Sequence, residues 1–474
     1  MIRAATSRLK NSKTFTPRRF FSTLQERREN EPREVLEYDV VVVGGGPAGL
    51  STAISLKRMQ QKYGKEISVC LIEKGSEIGS HILSGNCFES GHFNKLFPDW
   101  QKMENRPPIN QEVTQDVFKI LFPNGWALKI PSMFLPSSIS NHGNHIISLG
   151  QLASWMGEQA EEMGVDIFPG FAADEILYNE TGDAVIGVAT VDQGIDKNWN
   201  PKDSFMRGVE LKSNQLVLAE GARGSLSERV IEKFDLRSES DTQSYGIGLK
   251  EVWEVPEKNL IPGLVEHTVG WPLDSSTYGG SFMYHMKPNL IHLGMVVGLD
   301  YKNPYLNPYE EFQRWKTHKA IKGYLEGGRC IKYGARALNE GGYFAIPKLT
   351  FPGGLLVGCS AGFLDVAKIK GAHNAVESGL EAGKAIYYKL HHERMKEGTE
   401  IYSYQKKMNE GIVTQDLWKT RNFKGGFSNF GLWGGLAHGF VTSFLTGGKE
   451  PWNFRNKGRD CGKTSSASQF KVRS

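Results

Sequence analysis

Val40 to Val43 form an unbroken apolar run after Tyr38 and Asp39, the pattern of an apolar strand. The run ends in Gly44-Gly45-Gly46, and a helical pattern begins at Pro47 and continues to about Tyr63. A second apolar strand over 67–72 ends in Glu73. Residues 117–121 and 126–130 flank Pro123-Asn124-Gly125 and predict a hairpin. Leu152, Trp155, Met156, Ala160 and Met163 recur at helical spacing, and 165–168 is the strand expected after them. Short strands are expected near 173–178, 185–191 and 208–219, the last entering a glycine turn, 220–224, and a helix from Ser225. From Tyr245 to about Asp300 strand-like runs dominate and predict an inserted antiparallel sheet. A helix is expected over 310–321, a last strand over 355–357, and a helix from near Gly371.

The first three elements carry chemistry. Gly44, Gly46 and Gly49 give G-x-G-x-x-G between a strand and a helix, followed by a second strand with a terminal acid. The first glycine permits the tight turn, the second lets a pyrophosphate approach the backbone, and the third lets helix and strand pack closely. The helix start presents its free amides to that pyrophosphate, and Glu73 is placed to accept hydrogen bonds from a ribose. The order strand, turn, helix, strand, acid predicts a dinucleotide site.

Charge changes the picture at the N-terminus. The first 23 residues hold six basic side chains (Arg3, Arg8, Lys10, Lys13, Arg18, Arg19) and seven Ser or Thr, with no acid before Glu26. That composition fits a mitochondrial presequence, assigned to 1–31, or a basic tail for anionic surfaces. Without those six charges the balance falls from 57 against 52 to near neutrality, so the net +5 does not argue for nucleic acid. The five cysteines (Cys70, Cys87, Cys330, Cys359, Cys461) are scattered, which fits a reducing compartment and gives no locally spaced metal site. No nucleophile–base pair stands out, so no catalytic side chain is assigned and the chemistry is expected from a cofactor.

Residues 427–446 pose a different question. Phe430, Trp433, Leu436, Phe440 and Phe444 recur at spacings of three and four, six glycines lie between 425 and 439, and no acid occurs between Asp416 and Glu450. Basic residues flank the segment: Lys419, Arg421 and Lys424 before it, then Lys449, Arg455 and Lys457. With Asn429, His438, Thr442 and Ser443 inside, it is too polar for a comfortable span. The pattern suits a helix lying in a membrane interface, or one buried in the core.

Several longer strings resemble one family, the electron-transfer-flavoprotein:ubiquinone oxidoreductases. They are GGGPAGLS at 44–51, LIEKGSEIGSHILSG at 71–85, NHGNHIISLGQLASWMGEQAEEMGV at 141–165, TVGWPLDSSTYGGSF at 268–282, VVGLDYKNPYLNP at 296–308, YGARALNEGG at 333–342 and IPKLTFPGGLLVGCSAGF at 346–363. The resemblance implies an α/β fold: a Rossmann-like, doubly wound FAD-binding domain over 36–240 and 330–395. It places a β-rich quinone-binding domain at 241–329 and a C-terminal segment, 396–474, with an amphipathic monotopic membrane helix. It implies FAD held by Gly44, Gly46, Pro47, Ala48, Gly49, Glu73, Lys74, Gly221, Gly358, Gly362 and Gly371. Cys359 stands where many FAD proteins carry Asp and reads as a small packed residue. His373 is not assigned to proton transfer.

The same resemblance makes Tyr278, Gly279 and Gly280 quinone contacts, where pattern alone reads as an ordinary hairpin turn. It makes Phe430, Trp433, Phe440 and Phe444 membrane contacts, with 83–104 as a second contact. The implied partners are electron-transfer flavoprotein, ubiquinone and the matrix face of the inner mitochondrial membrane. The family's chain continues into a domain whose four cysteines hold a [4Fe–4S] cluster; after Pro451 this sequence holds Cys461 alone, and those ligands are absent from it. Two alternatives stand beside this reading: a cluster-less flavin-binding fragment, inactive or modulatory, and a geranylgeranyl-reductase-like flavoenzyme.

Overall fold

The computed structural model describes residues 23–82, 85–393 and 395–470. Most of the expected presequence, 1–22, lies outside the described residues. Leu24–Asn30 is a helix capped by Thr23, and Arg28 on it meets buried Asp192 at 2.7 Å.

Val35–Val43 is central in an eight-stranded sheet because its Val40–Val43 run leaves no polar face to turn toward water. It pairs in parallel with Val69–Glu73 on one side and Glu210–Leu218 on the other. Asp166–Pro169 and Gly354–Leu356 extend the parallel part, while Val185–Thr190 and Ala173–Tyr178 add antiparallel strands. Helix Pro47–Tyr63 starts with Pro at its first turn and ends at Gly64, which takes the left-handed conformation. It packs on Ala372–His392, and glycines set their distance: a side chain at Gly379 would meet the Ala48 carbonyl at 2.2 Å. Ser55 Oγ donates to the Leu380 carbonyl at 2.8 Å across the same contact.

A seven-stranded sheet stands beside this layer. Its order is Arg329–Asn339, Tyr245–Glu254, Leu290–Gly298, Gly279–Met286, Leu264–Gly270, Gln115–Leu121, Ala127–Ile130. All pairs are antiparallel except Leu264–Gly270 with Gln115–Leu121. The expected insertion is therefore larger in space than in sequence. The hairpin joins it by parallel pairing, and residues 330–339, expected in the second FAD segment, pair with Tyr245–Glu254 instead. The helix expected over 310–321 is two helices, Pro308–Lys316 and Lys319–Leu325. His318 is extended and caps the second by accepting from the Ala320 amide. Trp315 is fully buried under them, its indole donating to Thr268 Oγ1 at 2.9 Å.

The glycine-rich segment also departs from its expected form. Phe423–Phe440 is helical but breaks at Gly431 (φ 66°), and a wider turn of helix, Val441–Leu445, follows. The break is fixed from outside, since the Leu432 amide donates to the Ser275 carbonyl at 2.7 Å. No described helix is long and apolar enough to cross a membrane. Two of the flanking cations face inward. Arg421 is buried and donates to the carbonyls of Gly448 and Glu450, each at 2.6 Å, tying the segment's entry to its exit. Lys424 pairs with Asp300 at 2.8 Å. The expected second membrane contact, 83–104, is corrected where it is described: Phe88, Phe93, Phe97 and Trp100 are buried in the main core.

Candidate functional site

One cavity of about 1360 Å³ lies between the two sheets, larger than the roughly 300–1,000 Å³ typical of a single small-ligand site. The glycine turn, 44–48, forms one end and Tyr278, Gly279 and Gly280 line another part.

At the first end, Gly44 has φ +113°, and a side chain there would meet the Ala219 carbonyl at 2.4 Å. Gly46 differs: nothing lies within 4 Å of the position its side chain would take, which faces the cavity. Glu73 accepts from the amides of Gly45 at 2.8 Å and Gly75 at 2.7 Å, so its carboxylate is fixed beside the turn. Pro47 and Ala48 open the helix against the cavity, with Lys74 exposed at its rim. Gly371 caps Ala372–His392, bringing a second helix N-terminus to the same wall. Gly221 (φ +88°) lines it too, 2.8 Å from Arg336 Nη2 measured from where a side chain would start.

Three expected cofactor residues do not reach the cavity. Gly49 lies beneath the turn, where a side chain would meet the Gly44 carbonyl at 2.1 Å. Gly358 (φ +59°) packs against Ala48, and Gly362 (φ +81°) against Gln243. They shape the turns; the residues around them form the surface. The open position at Gly46, the two helix starts and the fixed Glu73 carboxylate together fit a dinucleotide such as FAD.

At the other end, Gly279 and Gly280 belong to a strand, Gly279–Met286, and not to the hairpin turn that pattern alone suggested. They pair with Val297 and Val296, and a side chain at Gly279 would strike the Val296 carbonyl at 2.5 Å. Tyr278 meets the Phe427 ring edge-on at 5.5 Å, and the Lys424 ammonium lies 5.3 Å from its ring centre. Trp433 and Phe440 line the cavity on the helical side, and Phe134 on the hairpin side. Phe430 and Phe444 are exposed outside it.

Several charged or titratable groups of the wall, Lys250, Arg336, His292 and Glu340 among them, were not legible in advance. Lys250 donates to the Gly85 carbonyl at 3.0 Å; desolvation, with Arg336 nearby, pushes its ammonium down to about 8. Lys250 and Arg336 share a face because Gly248 pairs with Arg336 and Lys250 with Gly334. Their strands were separately readable; the register that joins them was not. His292 is buried beside Gly85, pushed down to about 4 by burial and by Lys250. Glu340 is buried and lines the cavity. Cys359 lines the wall as a free thiol, raised by burial. His373 stacks on His92 at 5.8 Å and is held near 3 chiefly by burial, so it is neutral at physiological pH.

Known proteins match both ends. Residues 245–338 match the family model described as ETF-QO, ubiquinone-binding, and residues 39–88 match that of FAD dependent oxidoreductase. The human electron transfer flavoprotein-ubiquinone oxidoreductase, mitochondrial, is 49% identical over 438 residues, covering 91% of this chain and 70% of the relative. Its Dictyostelium discoideum counterpart is 46% identical over 449 residues, covering 92% and 72%. Among solved structures, a geranylgeranyl bacteriochlorophyll reductase-like protein from Thermoplasma acidophilum aligns with a TM-score of 0.63 at 17% identity, covering 87% of this chain and 92% of that one. A flavin-dependent brominase aligns at 0.56 and 16%, covering 86% and 91%. Those structural likenesses show a shared mixed α/β flavoenzyme fold; the sequence relatives show more, and this chain belongs to the electron transfer flavoprotein-ubiquinone oxidoreductase family.

Proposed function

We propose that this protein is an FAD-dependent oxidoreductase that passes electrons from reduced electron-transfer flavoprotein to ubiquinone at the matrix face of the inner mitochondrial membrane. One observation carries the reading: a single cavity runs from a dinucleotide-shaped end to Tyr278, Gly279 and Gly280 and on to exposed aromatic side chains. FAD, when bound, supplies a redox centre able to exchange two electrons or one. The glycine turn, Glu73 and the 372–392 helix start are the residues that would hold it, the carboxylate suited to a ribose and the helix start to an anionic flavin. Strand glycines 279 and 280 give a flat quinone headgroup access to backbone.

The membrane side has two parts. Phe122 stacks on Trp433 at 6.2 Å and lies 4.9 Å from Trp126, joining the 115–130 hairpin to the 423–440 helix. On these two segments and the residues that follow them, Trp126, Met133, Phe134, Phe430, Phe440, Phe444 and Leu445 are exposed. Such an apolar patch marks an interaction surface, and its contact with the cavity mouth fits a ligand that arrives from lipid. Docking by the hairpin replaces the earlier expectation for 83–104.

The test uses FAD-loaded protein with reduced electron-transfer flavoprotein as donor and ubiquinone as acceptor. Quinol formation that depends on bound FAD is the expected result. FAD that dithionite reduces but ubiquinone never reoxidises overturns the reading.

A further inference from the structure

Glu340 is the buried acid of the cavity wall, 2% exposed, and its Oε2 has no hydrogen-bond partner among the described residues. Room for it comes from two glycines that are register partners, Gly246 and Gly298. A side chain at Gly246 would meet Glu340 Oε1 at 2.2 Å; one at Gly298 would meet Glu340 Oε2 at 3.2 Å, Asp300 Oδ1 at 2.8 Å and Tyr278 Cδ1 at 3.3 Å. Glu340, Asp300 and Tyr278 therefore converge on one point, and the two carboxyl groups approach within about 6 Å of each other.

A chain of charges leads outward from there. Asp300 holds Lys424 at 2.8 Å and Lys463 at 3.4 Å; Lys463 also reaches Asp460 at 3.7 Å. Asp460 is anchored by Ser244 Oγ and the Tyr245 amide, and Lys463 is part-exposed to water. These groups, with Tyr278, are what faces Glu340 from the neighbouring elements. Burial raises its carboxyl, Lys424 opposes this, and Asp300 and Asp460 reinforce it, leaving it at about 7. A buried carboxyl with one oxygen left without a hydrogen bond, and kept partly protonated, is an anomaly in structural terms and a proton source in chemical ones.

We propose that Glu340 is the proton donor of the quinone site, reloaded from solvent along Asp300, Lys463 and Asp460. The inference rests on the quinone-reductase reading above. Reducing a quinone to a quinol takes two electrons, which that reaction brings, and two protons, which the lipid does not. In each delivery the Glu340 O–H bond breaks, an O–H bond forms on a quinone oxygen, and the carboxylate left behind faces Lys424. A proton from water restores the acid. Two such cycles complete one quinol.

The test compares the FAD-loaded full chain with its Glu340→Gln variant, whose amide copies the shape of the protonated acid. Both are reduced with dithionite and mixed with a one-isoprene ubiquinone between pH 6 and 9. Wild type is expected to slow about tenfold per pH unit above about 7. The variant should be at least about 100-fold slower at pH 6.5 and insensitive to pH, while ferricyanide, which takes electrons without protons, reoxidises both equally. Infrared spectra without quinone should show a deuterium-sensitive carboxylic-acid band that titrates near 7 and is missing in the variant. Lys463→Met, at the part-exposed outer end, should slow the second delivery more than the first. A Glu340→Gln protein with wild-type rate and pH profile overturns the donor role alone. Wild type that reduces ferricyanide but no quinone at any pH overturns the functional reading, and the donor with it.

Discussion

The Gly45 amide donates to Glu73 Oε2 at 2.8 Å, and the same carboxylate holds the Gly75 amide at 2.7 Å. One side chain thus fixes the loop after the first strand and the loop after the second. Hydrogen bonds to a charged group are worth roughly 1.5–3 kcal/mol each when made well. Glu73→Ala should therefore weaken FAD binding by about ten- to a hundredfold while the buried strand behind it stays folded. Fluorescence titration of apoprotein with FAD checks this; unchanged affinity would mean that the amides hold the turn unaided.

Two glycines of the same motif should fail in different ways. At Gly46, with φ −86° and open space in front, alanine should leave apoprotein stability within about 0.5 kcal/mol and still obstruct the pyrophosphate. At Gly49 the Gly44 carbonyl lies 2.1 Å from the new methyl, so alanine should destabilise the apoprotein itself by about 1–3 kcal/mol. Thermal unfolding of both variants, with and without FAD, separates the two. Equal losses in the apoprotein would refute the division of roles.

That motif was legible because its information is local: an apolar run, a glycine turn, a helix start and an acid follow one another in the chain. What was not legible depended on distant partners. The aromatic spacing of 427–446 continues straight through Gly431, where the helix breaks and the next amide, of Leu432, donates to the Ser275 carbonyl of a remote loop. Arg421 stands in the sequence simply as one of the basic residues flanking the segment, yet the carbonyls of Gly448 and Glu450 close on it. Glu340 lay in plain view in YGARALNEGG, but its cavity depends on the pairing of Gly246 with Gly298. Local patterns give elements; registers between remote strands give sites.

Acid should expose one further dependence. Burial alone would raise the Glu377 carboxyl, but hydrogen bonds from His92 at 2.9 Å and Lys95 at 2.6 Å outweigh it and hold it near 2. A depressed folded value means the contribution is full above the usual 4.5 and is lost as pH falls toward 2. The size is roughly 2–3 kcal/mol at neutral pH. Glu377→Gln should lower stability at pH 7 and flatten the loss between about 4.5 and 2. Urea unfolding across that window is the measurement, and parallel curves would count against the pair.

The apolar face offers the sharpest link between fold and function. Trp433 and Phe134 are each more than half exposed, and both line the cavity, one from the 423–440 helix and the other from beside the hairpin. Phe134→Asp leaves the described cores untouched, and Trp433→Asp loses one surface stack, on Phe122 at 6.2 Å, so FAD content should survive in both and unfolding temperature should fall only slightly in the second. An acid carried to apolar depth costs about 2.5–3.5 kcal/mol, enough to cut vesicle binding by roughly a hundredfold. Both variants should stop floating with vesicles and lose activity with a long-tailed quinone, while a short-tailed quinone that reaches the mouth through water remains a substrate. Phe427→Asp makes the contrast: its ring lies 5.5 Å from Tyr278, so it should impair both quinones. If the two surface variants instead lose FAD or unfold, this face belongs to the core of the protein and the site does not open toward lipid.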